Sequence, residues 1–141
     1  MCRINGLFQY AGHQQSDVES LGLSSRDLMK HAGPDDAGHY YDAIDGLFLG
    51  HRRLSILDLS SAGHQPMIFG DFIIVYNGEI YNFAEIRVDL QQFGFLFETE
   101  TDTEVILKAY QKWGYGFVDR FRGMFAFAIW DTRNKQLLLA R

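Results

Sequence analysis

The one cysteine of this chain, Cys2, stands directly behind Met1. Once the methionine is removed, that residue carries a thiol and a free α-amine together. A free cysteine titrates near about 8.5 and an α-amine at about 7.7–8.0. A substantial share of the amine is therefore neutral around physiological pH and can take the thiol proton, directly or through water. Two readings stay open at this point: an N-terminal nucleophile, or a small apolar residue entering a first strand. The second candidate stretch is VYNGEIYN, residues 75–82. Asn77-Gly78 between apolar stretches is a strong hairpin signal. An Asn side-chain amide beside a flexible Gly N–H is also a natural pair of donors for an oxyanion. Glu79 follows directly and offers a carboxylate at the same place, unless it is a solvated strand residue.

Other chemistries find no support. The histidines at 13, 31, 39, 51 and 64 show no zinc-ligand spacing, and no GxxxxGK[ST] phosphate loop occurs. No metal and no cofactor is expected on this chain. A net charge of −5 argues against a nucleic-acid or anionic-membrane surface. One cysteine excludes an internal disulfide and suits a reducing compartment. Neither an 18-residue apolar run nor a basic-then-apolar N-terminus is present. The expectation is a cytoplasmic protein of one domain, since 141 residues can bury roughly two-thirds of their unfolded surface.

The elements that must position these residues are mostly short strands. Aromatic or β-branched pieces bounded by Gly, Asp or Asn predict strands over 4–10, 39–42, 47–51, 72–76, 95–98, 124–131 and 136–140. Asn82-Phe-Ala-Glu85 predicts a capped helix carrying Ile86, Leu90 and Phe93 and stopped by Gly94. Thr101-Asp-Thr-Glu104 is a capping box before Val105, Ile106, Ala109, Tyr110 and Trp113, closed by Gly114. A shorter helix is expected over 25–30 and a turn over 118–121. MFAFAIW is apolar on both alternating faces, which predicts a strand covered on both sides. Residues 131–135 read as a hairpin turn into QLLLA. Strands in runs, with helices between only some of them, make the class α+β with layered sheets and helices outside.

Four stretches in order, HRRLSILDLSSAGHQPM, VYNGEIYNFAEIR, TDTEVILKAY and GMFAFAIWD, resemble the glutaminase domain of the glutamine-hydrolysing asparagine synthetases. These are class II glutamine amidotransferases of the N-terminal-nucleophile hydrolase type. The resemblance covers essentially the whole chain. It implies a four-layer αββα sandwich of antiparallel sheets, C-terminally incomplete, so that residues 1–141 form a truncated glutaminase domain without the synthetase domain. It also implies hydrolysis of L-glutamine to glutamate and ammonia through a Cys2 thioester, the ammonia feeding ATP-dependent asparagine synthesis. ATP and Mg are then expected only for the absent synthetase domain.

Carried over residue by residue, the resemblance makes Cys2 the nucleophile. Arg53 in HRRLS holds the glutamine α-carboxylate, which a guanidinium can grip bidentately. Leu54, Ile56 and Leu57 line the same pocket. The Asn77 side chain and the Gly78 N–H form the oxyanion hole. Glu79 and Asp102 surround the substrate α-amino group, while Asp102 can also complement a helix N-terminus. Two departures stand out. Arg3 follows the nucleophile where the family has a small residue, and His31-Ala32-Gly33-Pro34-Asp35 lacks the arginine of the family's RGPD loop. Alternation along a strand should turn Arg3 away from Cys2. The implied partners are L-glutamine and the synthetase domain, with no nucleic acid or membrane, and a homodimer is left open. The family runs on beyond QLLLAR into further strands, so an unpaired sheet edge and poor turnover are expected of residues 1–141 alone. Competing readings are the glutaminase domain of another class II amidotransferase, making an amino sugar or a phosphoribosylamine, and a non-catalytic remnant that only binds. GHQPM and GMFAFAIWD favour the asparagine synthetase branch.

Overall fold

The computed structural model describes residues 2–9, 18–55 and 61–141, and arranges them as two antiparallel sheets with helices outside. The first sheet joins β1 (Arg3–Phe8), β2 (Asp36–Asp42) and β3 (Leu47–Arg53) in the order β1-β3-β2. The second runs in chain order through β4 (Met67–Phe69), β5 (Phe72–Ile80), β6 (Gly123–Asp131) and β7 (Gln136–Ala140). Helix α1 (Val18–Leu28) covers the first sheet over β1 and β3. Helices α2 (Phe83–Gln92) and α3 (Asp102–Trp113) pair with each other, and α3 rests on β4 and β5. Because β1 and β3 also pack against β5, the layers are α, β, β, α.

The period of two along each strand produces this layering. Leu47, Leu49, Ile73, Val75, Ala128 and Trp130 are buried together between the sheets. The alternate residues Ile74, Tyr76, Phe127 and Ile129 meet Ile86 and Leu90 of α2 and Val105, Ile106 and Ala109 of α3. From Phe127 onward β6 is covered on both faces, as the pattern of MFAFAIW predicts, while Met124 at its start is exposed. On β3 the intervening Phe48 faces α1. There Gly22 is required by close approach, since a Cβ on it would stand 2.3 Å from the buried Phe48 ring.

The β6–β7 hairpin also forms as predicted. Asp131 Oδ1 accepts from the backbone N–H groups of Arg133 and Asn134 at 3.0 and 2.9 Å, and Oδ2 accepts from Asn134 Nδ2 at 2.8 Å. Lys135 completes the turn at φ 55°.

Several expectations are corrected. Asn77-Gly78 is not a hairpin: β5 continues through both residues to Ile80, paired with β6 throughout. Residues 95–98 are not a strand. Their backbone is used by side chains of α3, with Lys108 donating to the Leu96 carbonyl and Glu104 accepting from the Glu98 N–H. Asn82 makes no side-chain cap. Its amide instead clamps the segment before β6, donating to the Arg120 carbonyl at 2.9 Å and accepting from the Arg122 N–H at 2.8 Å. The first helix is longer than expected and begins at Val18, β2 begins three residues early, and the short β4 carries no signal of its own. Among the described residues, no helix is long and apolar enough to cross a membrane.

Candidate active site

Cys2 lies one position beyond the Arg3–Arg52 pair of the β1–β3 ladder, which sets it across from Arg53. By alternation it shares the face of Ile4, which packs into the layer between the sheets. The Leu54 backbone brackets its sulfur: the N–H donates to Sγ at 3.5 Å, and the thiol points at the carbonyl oxygen 3.7 Å away. Arg3 takes the opposite face of β1, and its Nη1 donates to the Cys2 carbonyl at 3.1 Å. The charge next to the nucleophile therefore ties down its main chain.

The loop over 31–35, which lacks the expected arginine, is held by another one. Arg52 donates through Nε to the Gly33 carbonyl at 2.9 Å and pairs with Asp27 at 3.7 Å. Asp35 N–H donates to the Arg53 carbonyl at 3.0 Å, and the Asp35 carboxylate accepts from Ser55 N–H at 2.7 Å. This clamp holds the chain on either side of Leu54, the residue that brackets the thiol. Arg53 itself is 8% exposed. Its guanidinium lies so close to Gly63 that a Cβ there would stand 2.2 Å from Nη2, which explains the glycine in SAGHQPM.

His51 shares the inter-sheet face of β3. It is 1% exposed, and neither ring nitrogen completes a hydrogen bond among the described residues. Burial drives its pKa down to about 4, against smaller opposing effects from Asp36 and the nearby Tyr76 backbone. Asp36 is engaged elsewhere, accepting from His64 Nδ1 at 2.7 Å. Although burial acts to raise it, that hydrogen bond and the His64 charge hold the Asp36 carboxyl below its usual range.

From the second sheet, Asn77 occupies the face of Ile73 and Val75, looking toward the first sheet. Its Oδ1 is buried and unpartnered among the described residues. Gly78 follows at φ +152°, a region that favours glycine. A Cβ there would meet the Met124 carbonyl oxygen at 2.3 Å, so glycine lets β5 stay paired with β6 at this point. Glu79 is exposed beside it.

Asp102 opens α3. Thr101 caps that helix through Oγ1, which accepts from Glu104 N–H at 3.3 Å. The Glu104 carboxylate does not close a reciprocal box. It reaches to Glu98 N–H at 2.9 Å and Thr99 N–H at 2.6 Å, and pairs with Lys108 at 2.5 Å in a nearly dry setting. The Asp102 Oδ2 accepts from Tyr76 hydroxyl at 2.6 Å and from Ile80 N–H at 3.2 Å. Burial, then the Asp102 charge, then that of Glu79 drive the Tyr76 pKa up, so the phenol stays a donor. The two carboxylates thus gather at the end of β5. Tyr76 lies inside the VYNGE motif but carries no signal of its own beyond an apolar strand position.

Cys2, Arg53 and Leu54 are brought together by the first sheet, and Asn77, Gly78, Glu79 and Asp102 by the second. Ile56 and Leu57 lie outside the described residues. A cavity of about 360 Å³ opens between the sheets, lined by Ile4, Leu49, Val75, Ala128, Leu137 and Leu139. None of the candidate residues line it, so it is a gap in the inter-sheet packing. Among the described residues, no group of three or more His, Cys, Asp or Glu is placed to hold a metal ion.

Comparison with known proteins gives a consistent result. The family described as the glutamine amidotransferase domain matches residues 1–141. A relative in Mycobacterium tuberculosis, named provisionally as a glutamine-hydrolysing asparagine synthetase, is 42% identical over 93% of this chain and 22% of its own length. Asparagine synthetase [glutamine-hydrolyzing] 1 of Bacillus subtilis is 39% identical over all of this chain and 22% of its own. The chain thus spans about a fifth of the length of these relatives. Among solved structures, the glutamine phosphoribosylpyrophosphate amidotransferase of B. subtilis superposes with a TM-score of 0.69 at 19% identity, over 92% of this chain and 35% of that one. That likeness shows the fold, two antiparallel sheets layered between helices.

Proposed function

The chain belongs to the glutamine amidotransferase domain family, and we propose that it hydrolyses L-glutamine to glutamate and ammonia with Cys2 as nucleophile. The observation that carries this reading is the Cys2 sulfur bracketed by the Leu54 backbone on a face shared with Arg53. Removal of Met1 frees the α-amine, which takes the thiol proton. The thiolate attacks the substrate δ-carbon, and the negative charge passes to the carbonyl oxygen, where the Asn77 amide and Gly78 N–H stabilise it. Collapse breaks the C–N bond as the α-ammonium returns its proton, so ammonia leaves and a γ-glutamyl thioester remains. Water, giving its proton to the same amine, releases glutamate and restores the thiol. Arg53 grips the α-carboxylate while Asp102 and Glu79 hold the α-ammonium; a buried Arg suits that bidentate task.

The names of the relatives support delivery of the ammonia to an ATP-activated aspartate on a synthetase domain, where ATP and magnesium would act. A cytoplasmic setting fits a lone reactive thiol. A second reading, the same glutaminase chemistry serving another acceptor, draws on a Gibberella zeae relative named amidase chry2, 36% identical over all of this chain.

The test joins intact mass to turnover. The purified chain should begin at Cys2, and Cys2→Ala should hydrolyse no glutamine while still binding it. Unchanged turnover in Cys2→Ala, or turnover by a chain that retains Met1, would overturn the nucleophile.

A further inference from the structure

Asp102 has two carboxylate oxygens, and among the described residues only one of them receives hydrogen bonds. Oδ2 receives the Tyr76 hydroxyl at 2.6 Å and the Ile80 N–H at 3.2 Å. Both donors belong to β5, which also carries Asn77 and Gly78. Tyr76 is held in turn. Its backbone N–H donates at 2.6 Å to Oε1 of Gln65, which lies beyond the end of β4 and takes the place of a strand partner. Gln65 is 6% exposed, and its Nε2 donates to Thr103 Oγ1, the residue after Asp102, at 3.5 Å. Gln65, the backbone and hydroxyl of Tyr76, Asp102 and its neighbour Thr103 therefore close a ring that joins GHQPM, VYNGE and TDTEV.

We propose that Tyr76, braced by Gln65, is a positioning residue for substrate recognition: it locks Oδ2 of Asp102 so that Oδ1 is presented to the α-ammonium of glutamine. The inference rests on the proposed glutaminase reading and deepens it. A carboxylate free to rotate would lose entropy on gripping an ammonium. One already fixed through two donors is preorganised and loses less. The ring also ties recognition to the oxyanion hole, because Tyr76 precedes Asn77 on the same strand. Tyr76 touches neither the substrate nor the reacting atoms. Its hydroxyl acts only through Asp102.

The discriminating experiment compares glutamine with 4-carbamoylbutanoate, which is glutamine without its α-amine. Tyr76→Phe removes one oxygen and leaves the ring packed in the core. It should raise KM for glutamine about tenfold, as for loss of one hydrogen bond to a charged group, with kcat within about twofold. Binding of 4-carbamoylbutanoate, measured as inhibition, should be unchanged. Asp102→Asn should behave alike, and adding Tyr76→Phe to it should have no further effect. A Tyr76→Phe variant that weakens both compounds equally, or that lowers kcat with KM unchanged, overturns the positioning role and leaves the glutaminase reading intact. Absence of glutamine hydrolysis by the unaltered chain overturns that reading, and this inference with it.

Discussion

His51 makes the acid stability of this domain a sharp test of the fold. Its imidazole lies between the sheets with no completed hydrogen bond among the described residues, and burial lowers its pKa from 6.5 to about 4. In the unfolded chain the ring is protonated below about pH 6.5, while the folded chain keeps it neutral down to about 4. Between those values the unfolded state binds one more proton, so stability falls with pH at about 1.4 kcal/mol per unit. Above the unfolded value there is no penalty. From pH 7 to pH 5 the loss integrates to about 2 kcal/mol, and it approaches 3 kcal/mol at pH 4. That is a large share of the roughly 5–15 kcal/mol typical of a domain. The depressed carboxyls of Asp36 and Glu104 stabilise the fold above their unfolded values and lose that contribution only at lower pH. They do not blur the window from pH 7 to 5. Denaturant unfolding at both pH values, on the native chain and on His51→Gln, isolates the effect. The variant differs in absolute stability, but its change between pH 7 and 5 should be about 2 kcal/mol smaller. Equal changes in both proteins would refute the burial of a neutral His51.

Two further outcomes follow from the site and its support. Asn77→Ala, removing an oxyanion donor, should lower kcat for glutamine by about 10²- to 10³-fold with KM little changed; a steady-state assay with unchanged kcat would remove Asn77 from the oxyanion hole. Glu104→Gln should destabilise the domain by about 3–5 kcal/mol, because it leaves a buried charge uncompensated. The charge is that of Lys108, whose side chain is 2% exposed and which, among the described residues, otherwise meets the Leu96 carbonyl and the rings of Phe69 and Phe97. Chemical denaturation measures it, and a loss below 1 kcal/mol would mean that Lys108 finds solvent.

What was legible in the sequence, and what was not, divides along local and non-local lines. The Asp131 turn and the doubly covered β6 depend on neighbours within a few residues, and both form as their pattern predicts. Thr101 caps α3 for the same reason. Asn77-Gly78 has the local chemistry of a hairpin, yet β6 offers β5 an uninterrupted partner from Phe72 to Ile80. Long-range pairing wins there, and only glycine at 78 tolerates the resulting φ and the approach of Met124. Asn82 likewise carries a cap signal but finds stronger partners across the chain at Arg120 and Arg122. Residues 95–98 look like a strand because they are apolar, while their backbone is claimed by Glu104 and Lys108. Gln65 and Tyr76 could not be picked out as a pair, since nothing in their spacing announces that a side chain will replace a strand.

The two departures from the family's pattern bear on whether this site can work, and each is offset by a contact that sequence spacing does not reveal. An arginine after the nucleophile could crowd or repel at the thiol, but alternation along β1 sends Arg3 to the other face, where it donates to the Cys2 carbonyl. It thereby restrains the main chain that carries the nucleophile and its α-amine. A loop without its arginine could leave Leu54 unanchored, but Arg52 supplies the guanidinium from the strand below and reaches the Gly33 carbonyl. The tight approach at Gly33, where a Cβ would stand 2.5 Å from the Arg52 backbone, makes the loop lie directly on β3. Asp35 then holds both sides of Leu54 through Arg53 and Ser55. The bracket around the sulfur is built from backbone, so it does not depend on the identity of the residues at 3 and 32, only on the pairing of β1 with β3 and on this clamp.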